Sequence, residues 1–171
     1  IVLSGGRLGM IGSALLQDNA QQAEIVARQM AGLFPNRFYL EIQRTGHAEE
    51  ERYNQNLVGL AEKLQLPLVA TNAVRFIDAT DYDAHEARVC IHDGYVLNDS
   101  RRTHRYTSEQ YLRSAQEMVE LFHDLPEAIA NTVVISQRCS VQLDLGHNYL
   151  PNFPVPEGET VAQYLTNLSQ T

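Results

Sequence analysis

Asp81, Asp83, His85 and Glu86 crowd together just after a stretch that reads as a strand, and they carry the donor types used by metal centres and acid–base sites. Parallel α/β folds place chemistry at the carboxyl ends of strands, so the position suits a site. The spacing suits it less. Asp83 and His85 are two residues apart, and on a helix such residues do not face each other. The weightier reading is a helix start, with Asp in the first turn and a surface or half-buried His behind it. His92-Asp93-Gly94 reads as a helix end, with Gly stopping the helix and His placed at the negative end of its dipole. His47, His104, His123 and His147 are isolated and read as surface residues. Arg101, Arg102, His104 and Arg105, beside Tyr106, form a basic cluster that could touch a phosphate backbone or an acidic partner, and otherwise a solvated loop. Ser4-Gly5-Gly6-Arg7-Leu8-Gly9 follows a strand and could cradle a phosphate, although a plain turn is the commoner meaning of such a run. Walker, GxGxxG and GxSxG motifs are absent.

The elements that would position these residues follow from hydrophobic period. An apolar run from Ile1 ends at Ser4-Gly5-Gly6, a strand and a turn. Ala14, Leu15, Ala23, Ile25, Val26, Met30 and Leu33 recur at three- and four-residue steps and predict one helix from Ser13 to Leu33, stopped by Pro35-Asn36. Arg37 to Gln43 reads as a second strand. A helix from Ala48 to Leu64 carries Leu57, Leu60, Ala61 and Leu64 as its stripe, with Glu49, Glu50 and Glu51 in its first turn. Pro67 to Thr71 reads as a third strand. This β-α-β-α-β order predicts parallel strands in an α/β sheet or part of a barrel. Asp81 to Ile91 reads as helical and Val96 to Tyr106 as irregular. Thr107 and Gln110 have capping-box spacing and predict a helix start. Leu112 to Cys139 is helical in pattern, with Pro126 in the first turn of its last helix. Residues 146–158 hold three prolines and two glycines and read as a linker, and Glu159 to Leu168 opens an amphipathic helix.

The chain has 171 residues, 13 basic and 21 acidic, for a net charge of −8. A hydrophobic fraction of 44% fits a globular fold rather than a disordered chain. The acidic balance argues against a broad DNA-gripping surface, which needs Lys and Arg. No apolar run approaches the roughly 18 residues of a membrane span. No signal-peptide pattern is present. The chain begins at Ile1, inside a strand and without methionine, and is expected to be a piece of a longer protein. Cys90 and Cys139 lie 49 positions apart and are expected to be buried, reduced thiols, not a disulfide or a zinc pair.

Several stretches together resemble one family. They are Phe38-Tyr39-Leu40-Glu41-Ile42-Gln43, Val69-Ala70-Thr71-Asn72, Asp83-Ala84-His85-Glu86 through Cys90-Ile91-His92-Asp93-Gly94, Tyr111-Leu112-Arg113-Ser114 with Glu117-Met118, Asp124 to Thr132, and Leu150 to Pro156. They resemble the alpha subunits of bacterial DNA polymerase III, the replicative C-family polymerases, over nearly the whole chain. The matched region is the later part of the polymerase-and-histidinol-phosphatase (PHP) domain. The resemblance implies a partial (β/α) PHP-type barrel: its last three parallel strands with their helices, over residues 1–145, then a helical segment leading to the palm, over 146–171. Cutting such a barrel would leave Ile1 to Leu3, Leu40, Ile42 and Val69 with open apolar faces.

Metal-binding PHP domains carry His in the turn after the second of these strands and Asp-x-His after the third. The resemblance puts Thr45, Ala73 and Arg75 at those three positions. Ala73 has no donor atom, and the fixed positive charge of Arg75 repels a divalent ion by several kcal/mol at roughly 4 Å. The resemblance therefore implies a vestigial cleft, around Glu41, Arg75, Asp83 and His85, with no metal and no catalytic residue in this segment. Arg75 is expected to fill it in an ion pair, with Glu41 or Asp83. It implies a silent scaffold that docks a proofreading exonuclease subunit within the polymerase III holoenzyme. DNA contacts and magnesium would belong to other domains, the magnesium to the palm. A cytoplasmic location and no membrane association follow from the same resemblance. The alternative is an active metal-dependent phosphoesterase or 3′–5′ proofreading exonuclease, which needs several His and carboxylate ligands. An unrelated α/β binding module would require all these strings to be coincidence.

Overall fold

A computed structural model of the chain describes residues 1–147 and 153–170. Residues 150–152 of the Leu150–Pro156 string, and 148–152 of the 146–158 linker reading, fall outside the described residues. The chain divides into two compact units, Ile1–Ser140 and Val141–Thr171.

In the first unit the order is β1 (Val2–Leu3), a 3₁₀ turn (Gly6–Leu8), α1 (Met10–Leu16), α2 (Ala20–Leu33), β2 (Phe38–Gln43), α3 (Glu50–Leu64) and β3 (Leu68–Thr71). A second 3₁₀ turn (Ala79–Asp81), α4 (Tyr82–Asp93), α5 (Ala115–Leu121) and α6 (Pro126–Arg138) follow. The strands form one parallel sheet in the order β1-β2-β3, as the alternation of elements predicts. Val2 is in register with Phe38, and Leu40 with Leu68. β2 is therefore central, and every residue from Phe38 to Ile42 is buried, the pattern of a strand covered on both faces.

The core joins α1, α2 and α3 to this sheet through Ile11, Leu15, Ala23, Leu57 and Leu60 against Leu40, Ile42 and Ala70. Leu40, Ile42 and Val69 are buried, at 0%, 0% and 3% exposure, so the expected open faces are confined to Ile1 and Leu3. The outer edge of β3 is partly closed by α6, where the Asn131 side-chain amide donates to the Leu68 carbonyl at 2.7 Å.

Two local expectations fail. The single helix from Ser13 to Leu33 is two helices, α1 and α2. Asp18 adopts φ 58°, and Asn19 caps α2 by accepting from the Gln22 N–H at 3.1 Å. The chain turns there through polar side chains that tolerate the left-handed region, which hydrophobic period does not register. Thr107 also starts no helix. Its hydroxyl donates to the Thr45 carbonyl, and the Gln110 amide donates to the Ala73 carbonyl at 3.1 Å. Residues 107–110 stop at a single turn, with the Gln110 N–H on the Thr107 carbonyl at 3.4 Å, and Phe76 and Tyr111 then form an isolated parallel bridge. The capping box belongs to α5, between Ser114 and Glu117. In the second unit, Thr160 and Gln163 form another, opening α7 (Val161–Ser169).

The corner between α5 and α6 is clamped to the loop after β2. The Arg44 guanidinium forks onto Asp124 at 2.6 and 2.7 Å, donates to the Leu121 carbonyl at 2.6 Å, and lies 5.0 Å over the Phe122 ring. The hydrogen bond from Arg44 holds the Asp124 carboxyl at about 2, below its ordinary 3.8, against the opposing effect of burial. A depressed folded pKa gives stability that is full above the ordinary value and is lost as pH falls through about 2. Because Asp124 is 46% exposed, solvent screening keeps this to ~1 kcal/mol or less. In Asp124→Asn the urea midpoint is expected to fall less steeply between about pH 4 and 2 than in the parent. Parallel profiles would show that the fork adds nothing.

Candidate functional site

The carboxyl ends of the three strands open into a cleft of about 650 Å³. Thr45, Ala73 and Arg75 all line it, so the three positions singled out by the resemblance converge. Thr45 is 1% exposed because Glu50, in the first turn of α3, folds back on it. The Glu50 carboxylate accepts from the Thr45 N–H at 2.6 Å, from the Thr45 hydroxyl, and from the His47 N–H at 3.2 Å. An acid that the sequence reads as a helix-dipole partner thus also organises the loop after β2. Ala73 sits at φ 43°, a left-handed conformation, with its carbonyl held by Gln110.

Arg75 requires a correction. Its guanidinium makes no ion pair among the described residues; it lies 5.2 Å over the Tyr106 ring. Neither carboxylate expected to meet it is a partner. Glu41 is buried in the centre of the sheet, where it accepts from the Thr71 hydroxyl at 2.5 Å and the Gln43 amide at 3.0 Å. Asp83 is exposed in the first turn of α4. Neutral hydroxyl and amide donors next to Glu41 satisfy its oxygens without a cation.

His85 is not on the cleft wall either. It is 7% exposed, packed 5.4 Å from the Phe76 ring and edge-on to Tyr106 at 4.8 Å, with Nε2 buried and unpartnered. Burial lowers its pKa, and the charges of Arg88 and Arg75 push the same way. It is therefore a buried, neutral member of an aromatic cluster, not a surface His. Glu41, Asp83 and His85 thus lie apart from the wall formed by Thr45, Ala73 and Arg75.

Three further residues join this cleft: Arg7, from the glycine-rich run after β1, His47, from the loop after β2 and read from the sequence as a surface residue, and His104, from the basic cluster in the loop after α4. Arg7 and His47 each follow a strand's carboxyl end, which is the signal that could have found them. Burial lowers the His47 pKa, and the charge of Arg7 adds to the effect. The Gly-rich run is a 3₁₀ turn. Gly6 sits at φ 59°, a left-handed conformation that other residues rarely adopt, and a Cβ there would press on the end of the Gln43 side chain at 2.8 Å.

The basic cluster is also corrected. Arg102 is buried in an ion pair with Glu86, Arg105 pairs with Asp93, and Arg101 pairs with Asp99 at 2.6 Å. Its arginines are committed to acids on α4 and within the loop. Cys90 is buried, Cys139 is exposed at the end of α6, and both are free. Cys139 was expected to be buried like Cys90, but it is the C-cap of α6, where the helix and its buried face have ended.

As a metal centre the cleft's donor set fits poorly. Thr45 and Ala73 supply no imidazole or carboxylate, Glu49 on the rim pairs with Arg52 at 3.1 Å, and three arginines, Arg7, Arg75 and Arg105, line it. Among the described residues no group of three or more His, Cys, Asp or Glu side chains is placed to hold a metal ion, and no helix is long and apolar enough to cross a membrane.

No protein-family model matches the chain. Individual proteins do. It is 50% identical over 169 residues, 99% of its length, to the DNA polymerase III subunit alpha of Pseudomonas fluorescens. It is 50% identical over 160 residues, 94% of its length, to that of Escherichia coli K12, and 53% identical over 154 residues, 90% of its length, to that of Vibrio cholerae. The chain spans only 13–14% of the length of these relatives. With about half its residues identical across nearly its whole length, the chain belongs to the family of the DNA polymerase III alpha subunit, of which it matches one segment.

Proposed function

We propose that this chain is the later part of a PHP domain in a replicative DNA polymerase, that its cleft holds no metal, and that it serves as a scaffold docking a proofreading exonuclease subunit. The parent would carry out DNA-templated DNA synthesis within the polymerase III holoenzyme, using magnesium and DNA contacts in its palm. Residues 1–145 belong to the PHP domain in this reading, and 146–171 lead to the palm.

The observation that carries it is the meeting of Thr45, Ala73 and Arg75 on one cleft wall at the strands' carboxyl ends. That is the place where such a fold holds ligands, and these side chains cannot supply a di- or trinuclear ligand set. The carboxylates nearby are occupied by Thr71, Gln43, Thr45 and Arg52. The hydrogen bonds that the Glu50 carboxylate accepts from Thr45 and His47 hold the loop after β2 in place, which suits docking better than turnover.

Elemental analysis of the intact protein, combined with a manganese soak of its crystals, is the test. The expected result is no zinc, iron or manganese ligated by residues of 37–75. Metal bound there would overturn the metal-free reading. For docking, hydrogen exchange of the intact polymerase is expected to show new protection within residues 1–147 when the exonuclease subunit is added. Protection confined to other parts of the polymerase would overturn it.

A further inference from the structure

We propose that His85 is a proton-operated latch for residues 103–106: neutral, it holds Tyr106 and with it one wall of the cleft in place, and protonated, it releases them. The inference stands apart from the scaffold reading, since it concerns only α4 and the segments packed on it.

The loop after α4 runs back along the helix. Tyr82, His85 and Glu86 are neighbours on one helix face, and each meets that loop. The loop has two firm anchors. Arg102 is buried in its ion pair with Glu86 and also donates to the Leu97 carbonyl at 2.7 Å. The Thr107 hydroxyl donates to the Thr45 carbonyl. Between these anchors little holds the chain down. Thr103, His104 and Arg105 are exposed. Arg105 pairs with Asp93, but its side chain is 53% exposed, and solvent screening leaves such a pair weak. Tyr106 reaches inwards. Its ring meets His85 edge-on at 4.8 Å, and its carbonyl accepts from the Tyr82 hydroxyl at 3.3 Å. All the residues of 103–106 line the cleft, so the wall rests on the Tyr106–His85 contact.

His85 keeps that contact only while neutral. It is 7% exposed, its neighbours are the rings of Phe76 and Tyr106, and Nε2 is buried with no partner among the described residues. A proton puts an N–H on both ring nitrogens and a full charge on the ring, and a buried charge without an acceptor is costly. The groups around it do not offset that cost. Arg88 on α4 and Arg75 on the segment after β3 repel an imidazolium. Glu86 attracts it, but Oε2 is taken by Arg102 and approached by His104 Nδ1 at 3.3 Å, while Oε1 does not meet Nε2. Asp83 is exposed and two residues away, on another face of α4. The phenols of Tyr82 and Tyr106 bring no negative charge near neutral pH. The Tyr106 ring could hold a cation, but Arg75 already lies over it at 5.2 Å. Relief comes when the imidazolium swings to water, and Tyr106 is the neighbour it displaces, because Phe76 is tied to Tyr111 by a backbone bridge.

The sign follows from burial, which lowers the His85 pKa in the closed form. The closed form is fully stable above the ordinary histidine value of 6.5 and loses stability as pH falls below it. One proton raises the opening constant by up to about tenfold per pH unit.

The test follows the intact protein by mass spectrometry from about pH 7.5 to 5, reading amide hydrogen exchange corrected for intrinsic rate together with histidine C2 exchange. Opening of 103–106 is expected to rise roughly fivefold or more between about pH 7 and 5.5, in step with titration of His85, while exchange in α3 stays constant. His85→Phe keeps a ring in the cluster and is expected to flatten the response at an unchanged melting temperature. His104→Gln is expected to retain it, because a protonated His104 would tighten on Glu86 and oppose opening. Exchange in 103–106 that is independent of pH, that disappears in His104→Gln, or that persists in a folded His85→Phe would overturn the latch. Titration of His85 with 103–106 still closed would overturn it in the unaltered protein, whether or not His85→Phe folds.

Discussion

Arg102→Ala is expected to destabilise the protein by about 3–5 kcal/mol, the cost of leaving a buried charge without its partner. The Arg102 side chain is 7% exposed and that of Glu86 is 5%. The guanidinium has two duties, since it also donates to the Leu97 carbonyl at 2.7 Å and so closes the loop after α4 on itself. The other Glu86 oxygen, Oε1, is buried with no partner among the described residues. Truncating Arg102 therefore strands a carboxylate that already has only one satisfied side. His104, whose Nδ1 is 3.3 Å from Glu86, is 65% exposed and too well solvated to take over. The double variant Glu86→Gln/Arg102→Met is expected to recover most of the loss, because the cost lies in the orphaned charge and not in the pair's net attraction. Arg101→Ala, whose ion pair lies at the surface, should leave the urea midpoint unchanged. A loss below about 1 kcal/mol in Arg102→Ala would mean that the pair behaves as a solvated surface contact. The same loop carries Thr103, His104 and Tyr106 to the cleft, so this buried pair also fixes one wall of the candidate site.

The elements whose hydrophobic period was long and regular were legible. β2, α3 and β3 were read to within two residues at each end, because a doubly covered strand and an amphipathic helix both write their burial into the order of residues. What was missed lies where side chains make the local rule fail. Asp18 enters the left-handed region and splits one apparent helix into two. Thr107 and Gln110 have capping-box spacing, but their side chains bond to the carbonyls of Thr45 and Ala73, far away in sequence. Glu50 looks like a dipole partner and is also the hub of the loop after β2. The cleft was half legible for the same reason. Thr45, Ala73 and Arg75 follow two adjacent strands, and their convergence could be expected from parallel topology. Arg7, His47 and His104 reach it from three separate loops, and the sequence carries no spacing that ties them together. The ion pair expected of Arg75 failed because the nearby acids had closer, neutral donors, which a list of charges does not reveal.

Phe122→Ala is expected to cost about 3–5 kcal/mol, the usual penalty for removing a fully buried aromatic ring. Phe122 is 0% exposed and sits at the end of α5 within the same core as Leu40, Ile42 and Leu57. Its ring is also the floor on which Arg44 rests at 5.0 Å. The variant therefore removes apolar contact from the core and loosens the guanidinium that forks onto Asp124 and the Leu121 carbonyl. Phe122→Leu keeps most of the volume but not the ring face, and should cost less than about 1.5 kcal/mol. The gap between the two substitutions isolates filled space from the cation–ring contact. Asp124→Asn offers the complementary dissection, since it weakens the fork and leaves the core filled. If the ring organises the corner, hydrogen exchange in Phe122→Ala should rise first in α5 and α6 and only later in α3, which meets the sheet through its own contacts. Uniform acceleration across α3, α5 and α6 would instead show that the α5–α6 corner and the sheet open as one unit, and that Phe122 is an ordinary core residue.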